Sequence, residues 1–112
     1  MSNRKFYLRF ASLVNAVNKD AGIDFDNIAM HLLEAITEAH GAGHPLKVTD
    51  ALALDVASAA TLHKKIDTLK LQGFVQIEYP EDTKRTKFLA PTEKALSHFD
   101  TLGKALLKVA NQ

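Results

Sequence analysis

Apolar residues recur at spacings of three and four over two long stretches in the first half of the chain. The first stripe consists of Phe6, Phe10, Leu13, Val14 and Val17. The second consists of Ile28, Leu32, Leu33 and Ile36. This spacing places each set on one helical face, so it predicts helices over about residues 4–19 and 24–40. Asp24 or Asp26 is suited to cap the second helix, which the glycine-rich break before Pro45 ends.

Shorter elements follow between residues 46 and 73. Residues 46–48 are compatible with a short strand, and Thr49 or Asp50 is suited to cap a third helix. The apolar positions expected in that helix are Leu52, Ala53 and Val56. Ser58 and Gly73 mark the two ends of a fourth helix. Its expected inward face is Ala59, Leu62, Ile66 and Leu69.

A hairpin and a last helix complete the pattern. Residues 74–79 alternate as a strand, residues 80–83 form a turn, and residues 84–90 return before Pro91 and Thr92 stop the ladder. Thr92 then caps a helix with a stripe of Leu96, Phe99, Leu102, Leu106 and Val109. The order predicts a mostly α protein with a small β-hairpin (α+β), a winged helix-turn-helix. We expect a single domain over 1–112, with its core at 46–92 and flanking helices at about 4–19, 24–40 and 92–110.

Composition narrows the classes of function. The chain has 112 residues, of which 46% are hydrophobic and 24% charged, as in globular domains. It has no cysteine, no run of about 18 apolar residues and no signal-peptide pattern, so we expect a cytoplasmic protein without a membrane segment. His40 and His44 flank a glycine break that separates their rings, so we expect neither a metal nor another cofactor. There is no phosphate loop or nucleophile motif, so we expect no enzyme.

The segment 58–75, together with Asp82, Arg85 and residues 89–95, resembles the MarR-type winged-helix transcriptional regulators. The likeness is detailed over about residues 46–96. It implies that the fourth helix enters the major groove of DNA, that the hairpin contacts the adjacent minor groove or backbone, and that the first and last helices pair two subunits. By this resemblance Thr61 and Lys64 lie at groove-contacting positions and Arg85 lies on the wing.

The chemistry of the same segment gives a set of candidate contacts with double-stranded DNA. Helix N-termini, hydroxyls and cationic side chains are the groups that bind phosphates and base edges. The candidates are Ser58, Ala60, Thr61, Lys64, Lys65, Thr68, Lys84, Arg85 and Lys87. Asp82 and Arg85 are also suited to pair across the turn, which would brace the wing.

The net charge of +1 leaves a second function open. Many DNA-binding domains are strongly basic, so a nearly neutral winged helix could instead be a protein-interaction module. For either function a homodimer through the first and last helices is expected, because two long amphipathic helices exceed what a chain of this length covers alone. The operator and any small-molecule effector are not specified by the sequence.

Overall fold

The computed structural model describes residues 3–20, 26–80 and 86–111. The predicted fold class, mostly α with a β-hairpin, is confirmed. The elements in chain order are α1 (Asn3–Asp20), α2 (Asn27–Gly41), α3 (Val48–Leu52), α4 (Ala59–Leu71), β1 (Val75–Glu78), β2 (Phe88–Pro91) and α5 (Glu93–Ala110).

The chain divides into two compact units. The winged-helix unit is Asp26–Ala95, and the terminal unit is Met1–Phe25 with Leu96–Gln112. In the winged-helix unit α2 packs against α4 and β2, while α3 and β1 pack against α4. Its largest fully buried side chains are Leu32, Leu33, Ile36, Leu62, Leu69, Phe74 and Leu89. These side chains form one apolar core, which fixes α4 from its inner side.

Local chemistry sets both ends of α4 where the sequence predicts them. The Ser58 hydroxyl accepts a hydrogen bond from the backbone N–H of Thr61 at 3.2 Å. At the other end Gly73 has φ of +81°, a conformation that glycine adopts without a Cβ clash. The N–H groups of Gly73 and Phe74 donate to the carbonyls of Lys70 (3.1 Å) and Leu69 (2.9 Å). This is a Schellman ending, and it directs the chain from α4 into the hairpin.

The wing is the antiparallel hairpin of β1 and β2, with Val75 opposite Pro91 and Glu78 opposite Phe88. The prediction that Pro91 stops the ladder is wrong. Pro91 is the last residue of β2, and the next N–H, that of Thr92, still donates to the carbonyl of Phe74 at 3.1 Å. A proline is tolerated there because it ends the strand, where its missing donor breaks no further bond. Residues 81–85, which include Lys84 and Arg85, lie outside the described residues.

The predicted strand at 46–48 is reduced to a single bridge. Lys47 pairs with Phe88 in antiparallel sense, and the N–H of Leu89 donates to the carbonyl of Leu46 at 2.8 Å. The bridge ends at once because α3 begins at Val48. The segment before α3 is thereby fixed to the base of the wing.

The two helices that precede α4 differ in how well their caps were predicted. Asp26 caps α2, as one of the two alternatives had it, and its Oδ1 accepts from the N–H of Ala29 at 2.7 Å. For α3 the expected cap is wrong, because Asp50 lies inside the helix and accepts from the N–H of Lys47 at 3.0 Å.

The inward face expected for α3 also needs correction. Ala51 is its buried residue, Leu52 is half-buried, and the expected Ala53 and Val56 are exposed. A helix of five residues makes little more than one turn, so one small side chain is enough to fill the position that faces the core.

In the terminal unit, α1 has no fully buried residue. The residues of α5 that are buried there are His98, Leu102 and Val109, whereas Leu96 and Leu106, expected inside, are 40% and 37% exposed. Among these residues His98 is polar, and its Nε2 donates to the Asn18 side-chain oxygen at 2.6 Å. Burial lowers the pKa of His98 below its usual value of 6.5. No helix within the described ranges is long and apolar enough to cross a bilayer.

Candidate nucleic-acid interface

The exposed face of α4 is set by the residues that its opposite face buries. Leu62, Ile66 and Leu69 point into the core, so at about 100° per residue the outward face is centred on Lys64 and Leu71. Ala60 and Thr68 belong to the same exposed face. Ala59, expected on the inward face, is exposed, because it lies about 60° from the centre of the buried stripe at the first helical position.

Three hydroxyl groups among the candidates have partners within α4. The Ser58 hydroxyl donates to Thr61 Oγ1 at 3.0 Å, and the Thr68 hydroxyl donates to the carbonyl of Lys64 at 3.0 Å. These bonds hold the oxygen atoms in place as acceptors. The proton of the Thr61 hydroxyl is not used in either bond, so it is available to an acceptor outside the protein, such as a phosphate oxygen.

Two neighbouring lysines of α4 lie in different electrostatic settings. Lys64 is exposed on the outward face. The Lys65 ammonium lies at the side of α4 and forms an ion pair with Asp26, the residue that caps α2. The hydrogen bonds from Lys65 and from the N–H of Ala29 hold the pKa of Asp26 below its usual value of 3.8. Lys65 therefore joins α4 to the start of α2, whereas Lys64 presents its charge to solvent.

The middle of the outward face also carries an acidic side chain. Asp67 lies one turn after His63, with its Oδ2 3.3 Å from His63 Nδ1. Both side chains are more than half exposed. A carboxylate at this place reduces the positive potential that Lys64 creates, so this face is not uniformly basic.

Of the three cationic residues that were predicted to contact DNA from the wing, Lys87 lies among the described residues, whereas Lys84 and Arg85 do not. Lys87 is exposed and precedes β2 directly. It lines an open cleft of about 270 Å³ whose other described walls are Lys47, Val48, Thr49 and Thr86. The sequence prediction missed Lys47, Thr49 and Thr86, because they join Lys87 only through the bridge between Lys47 and Phe88.

The root of the wing is attached to α2 by a polar contact. His40, in the last turn of α2, lies with its Nε2 2.9 Å from Oε1 of Glu78 on β1. This contact fixes His40 beside the wing. Within the described ranges, no three His, Asp or Glu side chains group closely enough to hold a metal ion.

Solved structures with the same arrangement of elements are transcriptional regulators. A variant of MepR from Staphylococcus aureus, bound to an oligodeoxyribonucleotide, matches with a TM-score of 0.74 and 13% identity, over 96% of this chain and 75% of that chain. A transcriptional regulator from Thermotoga maritima matches with a TM-score of 0.71 and 15% identity, over 96% and 72%. The crystal structure of MarR matches with a TM-score of 0.59 and 13% identity, over 96% of this chain and 72% of that chain. The chain has the MarR-type winged-helix fold.

Sequence comparison alone finds no matching family model and no matching curated protein. At identities of 13% and 15% the likeness to the MarR-type structures is one of fold. The fold resemblance inferred from residues 58–75 and the wing is thereby confirmed, and it assigns α4 as the second helix of the helix-turn-helix.

Proposed function

We propose that this protein is a sequence-specific duplex-DNA-binding transcriptional regulator that acts in the cytoplasm as a dimer on an operator. The observation that carries the proposal is the outward face of α4, a capped helix on a winged-helix unit whose exposed side chains include Lys64 and Thr68. A structure of the same fold, the MepR variant, is bound to an oligodeoxyribonucleotide.

In the proposed complex α4 lies in the major groove. Its N-terminal residues Ser58, Ala60 and Thr61 would approach the phosphates and base edges, and Lys64 would reach a guanine or a phosphate. On the wing, Lys87 with Lys84 and Arg85 would contact the neighbouring groove or backbone. Because α4 has no arginine, asparagine or glutamine on its outward face, we expect modest base discrimination from this helix.

Dimerisation is proposed to run through the terminal unit. Large apolar side chains there are exposed on both helices: Tyr7, Leu8, Leu96, Leu106 and Leu107. A second copy related by two-fold symmetry would cover them and would place two α4 helices about one turn of DNA, roughly 34 Å, apart. The winged-helix unit and the terminal unit would then work as one regulator that recognises a nearly palindromic site.

Binding to a labelled random-sequence duplex, measured by fluorescence anisotropy at about 50 and 200 mM salt, tests the proposal. Phosphate contacts make affinity fall steeply with salt, so a DNA-binding protein should lose much of its affinity over this range. A selection from random duplexes should then yield an operator with two half-sites. Absence of binding at the lower salt concentration would overturn the proposal.

A second function is favoured by one observation on the same face. Leu71 is 90% exposed on the outward face of α4, and Asp67 lies beside it on that face. Exposed apolar residues on a nearly neutral surface are typical of protein-binding sites. If α4 binds a protein instead of DNA, Leu71→Ser should abolish that interaction, and the interaction should be nearly indifferent to salt. A DNA regulator should keep its duplex affinity in Leu71→Ser.

A further inference from the structure

The cleft beside the wing combines cationic and hydroxyl side chains from two separate segments of the winged-helix unit. Lys47 and Thr49 come from the start of α3, and Thr86 and Lys87 come from the approach to β2. The bridge between Lys47 and Phe88, with the bond from the Leu89 N–H to the Leu46 carbonyl, holds the two segments together. The four side chains therefore line one site that the backbone fixes in place.

The charge of this cleft is positive. Lys47 and Lys87 are both exposed, and within the described part of the chain neither forms an ion pair. The nearby carboxylate of Asp50 accepts from the backbone N–H of Lys47. Two ammonium groups that line one cleft repel each other, and an anion bound between them removes that repulsion.

The groups that line the cleft match a phosphate. Two ammonium groups and two hydroxyls offer several donors, which suits an anion with several acceptor oxygens better than it suits a carboxylate. Val48 adds an apolar wall, and the open shape admits a phosphate that belongs to a polymer. In protein–DNA complexes, lysine and threonine are among the side chains that contact the phosphodiester backbone, together with arginine, other polar side chains and backbone N–H groups.

We propose that Lys47 and Lys87, with the hydroxyls of Thr49 and Thr86, bind one phosphodiester of the DNA backbone. This inference rests on the proposed function and adds a contact from outside α4. The site would fix the register of the winged-helix unit on the duplex and would bind all base sequences alike, because phosphates carry no sequence information. Lys47 thereby becomes a DNA contact that the wing and α4 alone do not supply.

The test compares Lys47→Gln and Lys87→Gln with a matched control, Lys104→Gln, which removes an exposed lysine of the terminal unit. Duplex affinity is measured by anisotropy from 50 to 200 mM salt. Because the two lysines neutralise one phosphate, the double variant Lys47→Gln/Lys87→Gln should reduce the slope of log K against log salt by about 0.9 per bound copy, which corresponds to roughly 8-fold weaker binding at 0.1 M salt, and each single variant should show part of this loss. The loss should be equal on operator and random duplexes, and Lys104→Gln should leave slope and affinity unchanged.

Different failures have different meanings. A wild-type slope in Lys47→Gln, together with a reduced slope in Lys64→Gln, would overturn the cleft proposal and leave DNA binding by α4 standing. If the wild type binds no duplex, both the proposed function and the DNA backbone as the source of the phosphate are overturned. An NMR titration with inorganic phosphate would then show whether the cleft binds free phosphate, through shifts of residues 47–49, 86 and 87 that vanish in Lys47→Gln.

Discussion

The same substitution at two adjacent lysines of α4 should affect different properties, DNA binding at Lys64 and stability at Lys65. Lys64 is exposed on the outward face, whereas Lys65 is ion-paired with Asp26 and its side chain is 30% exposed. For Lys64→Gln we expect weaker DNA binding with little change in stability. For Lys65→Gln we expect a small loss of stability and nearly wild-type salt dependence of binding. The pair provides its own control, since both changes remove one charge from the same helix.

The magnitudes follow from these two settings. A lysine that neutralises one phosphate contributes about 0.9 to the slope of log K against log salt, so its loss costs roughly 8-fold in affinity at 0.1 M salt. The Lys65–Asp26 pair lies at the surface, where such pairs contribute about 0–1 kcal/mol to stability. Asp26 would keep its hydrogen bond from the N–H of Ala29 in Lys65→Gln, so the cap of α2 should survive.

The assay is fluorescence anisotropy on one duplex at several salt concentrations from about 50 to 200 mM, paired with urea unfolding of each variant. A third variant, Asp26→Asn, should release Lys65 while it retains an N-cap oxygen. If Lys65 is then free to reach a phosphate, the slope of Asp26→Asn should become steeper than that of the wild type. Equal losses of slope in Lys64→Gln and Lys65→Gln would refute the reasoning, because they would show that the pair with Asp26 opens in the complex.

Three further predictions concern the dimer, pH and the turn after α2. Leu107→Glu should remove about 2 kcal/mol of apolar burial from each of the two copies, which corresponds to roughly 1,000-fold weaker self-association in sedimentation experiments. The control Thr101→Glu changes an exposed residue of the same helix and should leave self-association unchanged. Equal effects of the two variants would argue against α5 as the interface. Because burial lowers the pKa of His98 below 6.5, stability should be full above that pH and fall as pH drops below it toward the lowered pKa; His98→Gln should flatten this dependence in unfolding experiments, and an unchanged dependence would contradict it. Gly43→Ala should cost about 1–2 kcal/mol, since Gly43 has φ of +82°, whereas Gly41→Ala should not destabilise; similar effects at both positions would count against this reason.

The elements best predicted from the sequence are those whose ends depend on local chemistry. Ser58 and Gly73 act within a few residues of themselves, so the cap and the Schellman ending fix α4 without information from the rest of the fold. Thr92 is similar, since its hydroxyl oxygen accepts from the N–H of Ala95 at 3.2 Å. Its further bond to the carbonyl of Gly73 at 2.6 Å ties α5 to the end of α4 and was not predicted.

The candidate site was predicted less fully, because its electrostatics depend on contacts between distant segments. Asp26 and Lys65 are 39 positions apart, and no local pattern pairs them. Lys47 and Lys87 lie close together only because of a single backbone bridge. The DNA contacts predicted from the sequence therefore included Lys65, which is ion-paired with Asp26, and omitted Lys47, which lines the cleft.

The difference between the expected and observed stripes of α5 bears on the dimer. The spacing of apolar residues predicts an inward face of Leu96, Phe99, Leu102, Leu106 and Val109. Of these, Leu102 and Val109 are buried in the terminal unit, and His98 joins them, so that the buried set recurs at spacings of four and seven. Leu96 and Leu107 lie about 140–160° around the helix from the centre of this buried set, and Leu107 is 62% exposed. The helix thus carries two apolar stripes, and the chain covers one of them. A helix with an exposed apolar face is stabilised in water when another surface covers that face, so the stripe that contains Leu96 and Leu107 is where we expect a second copy to pack.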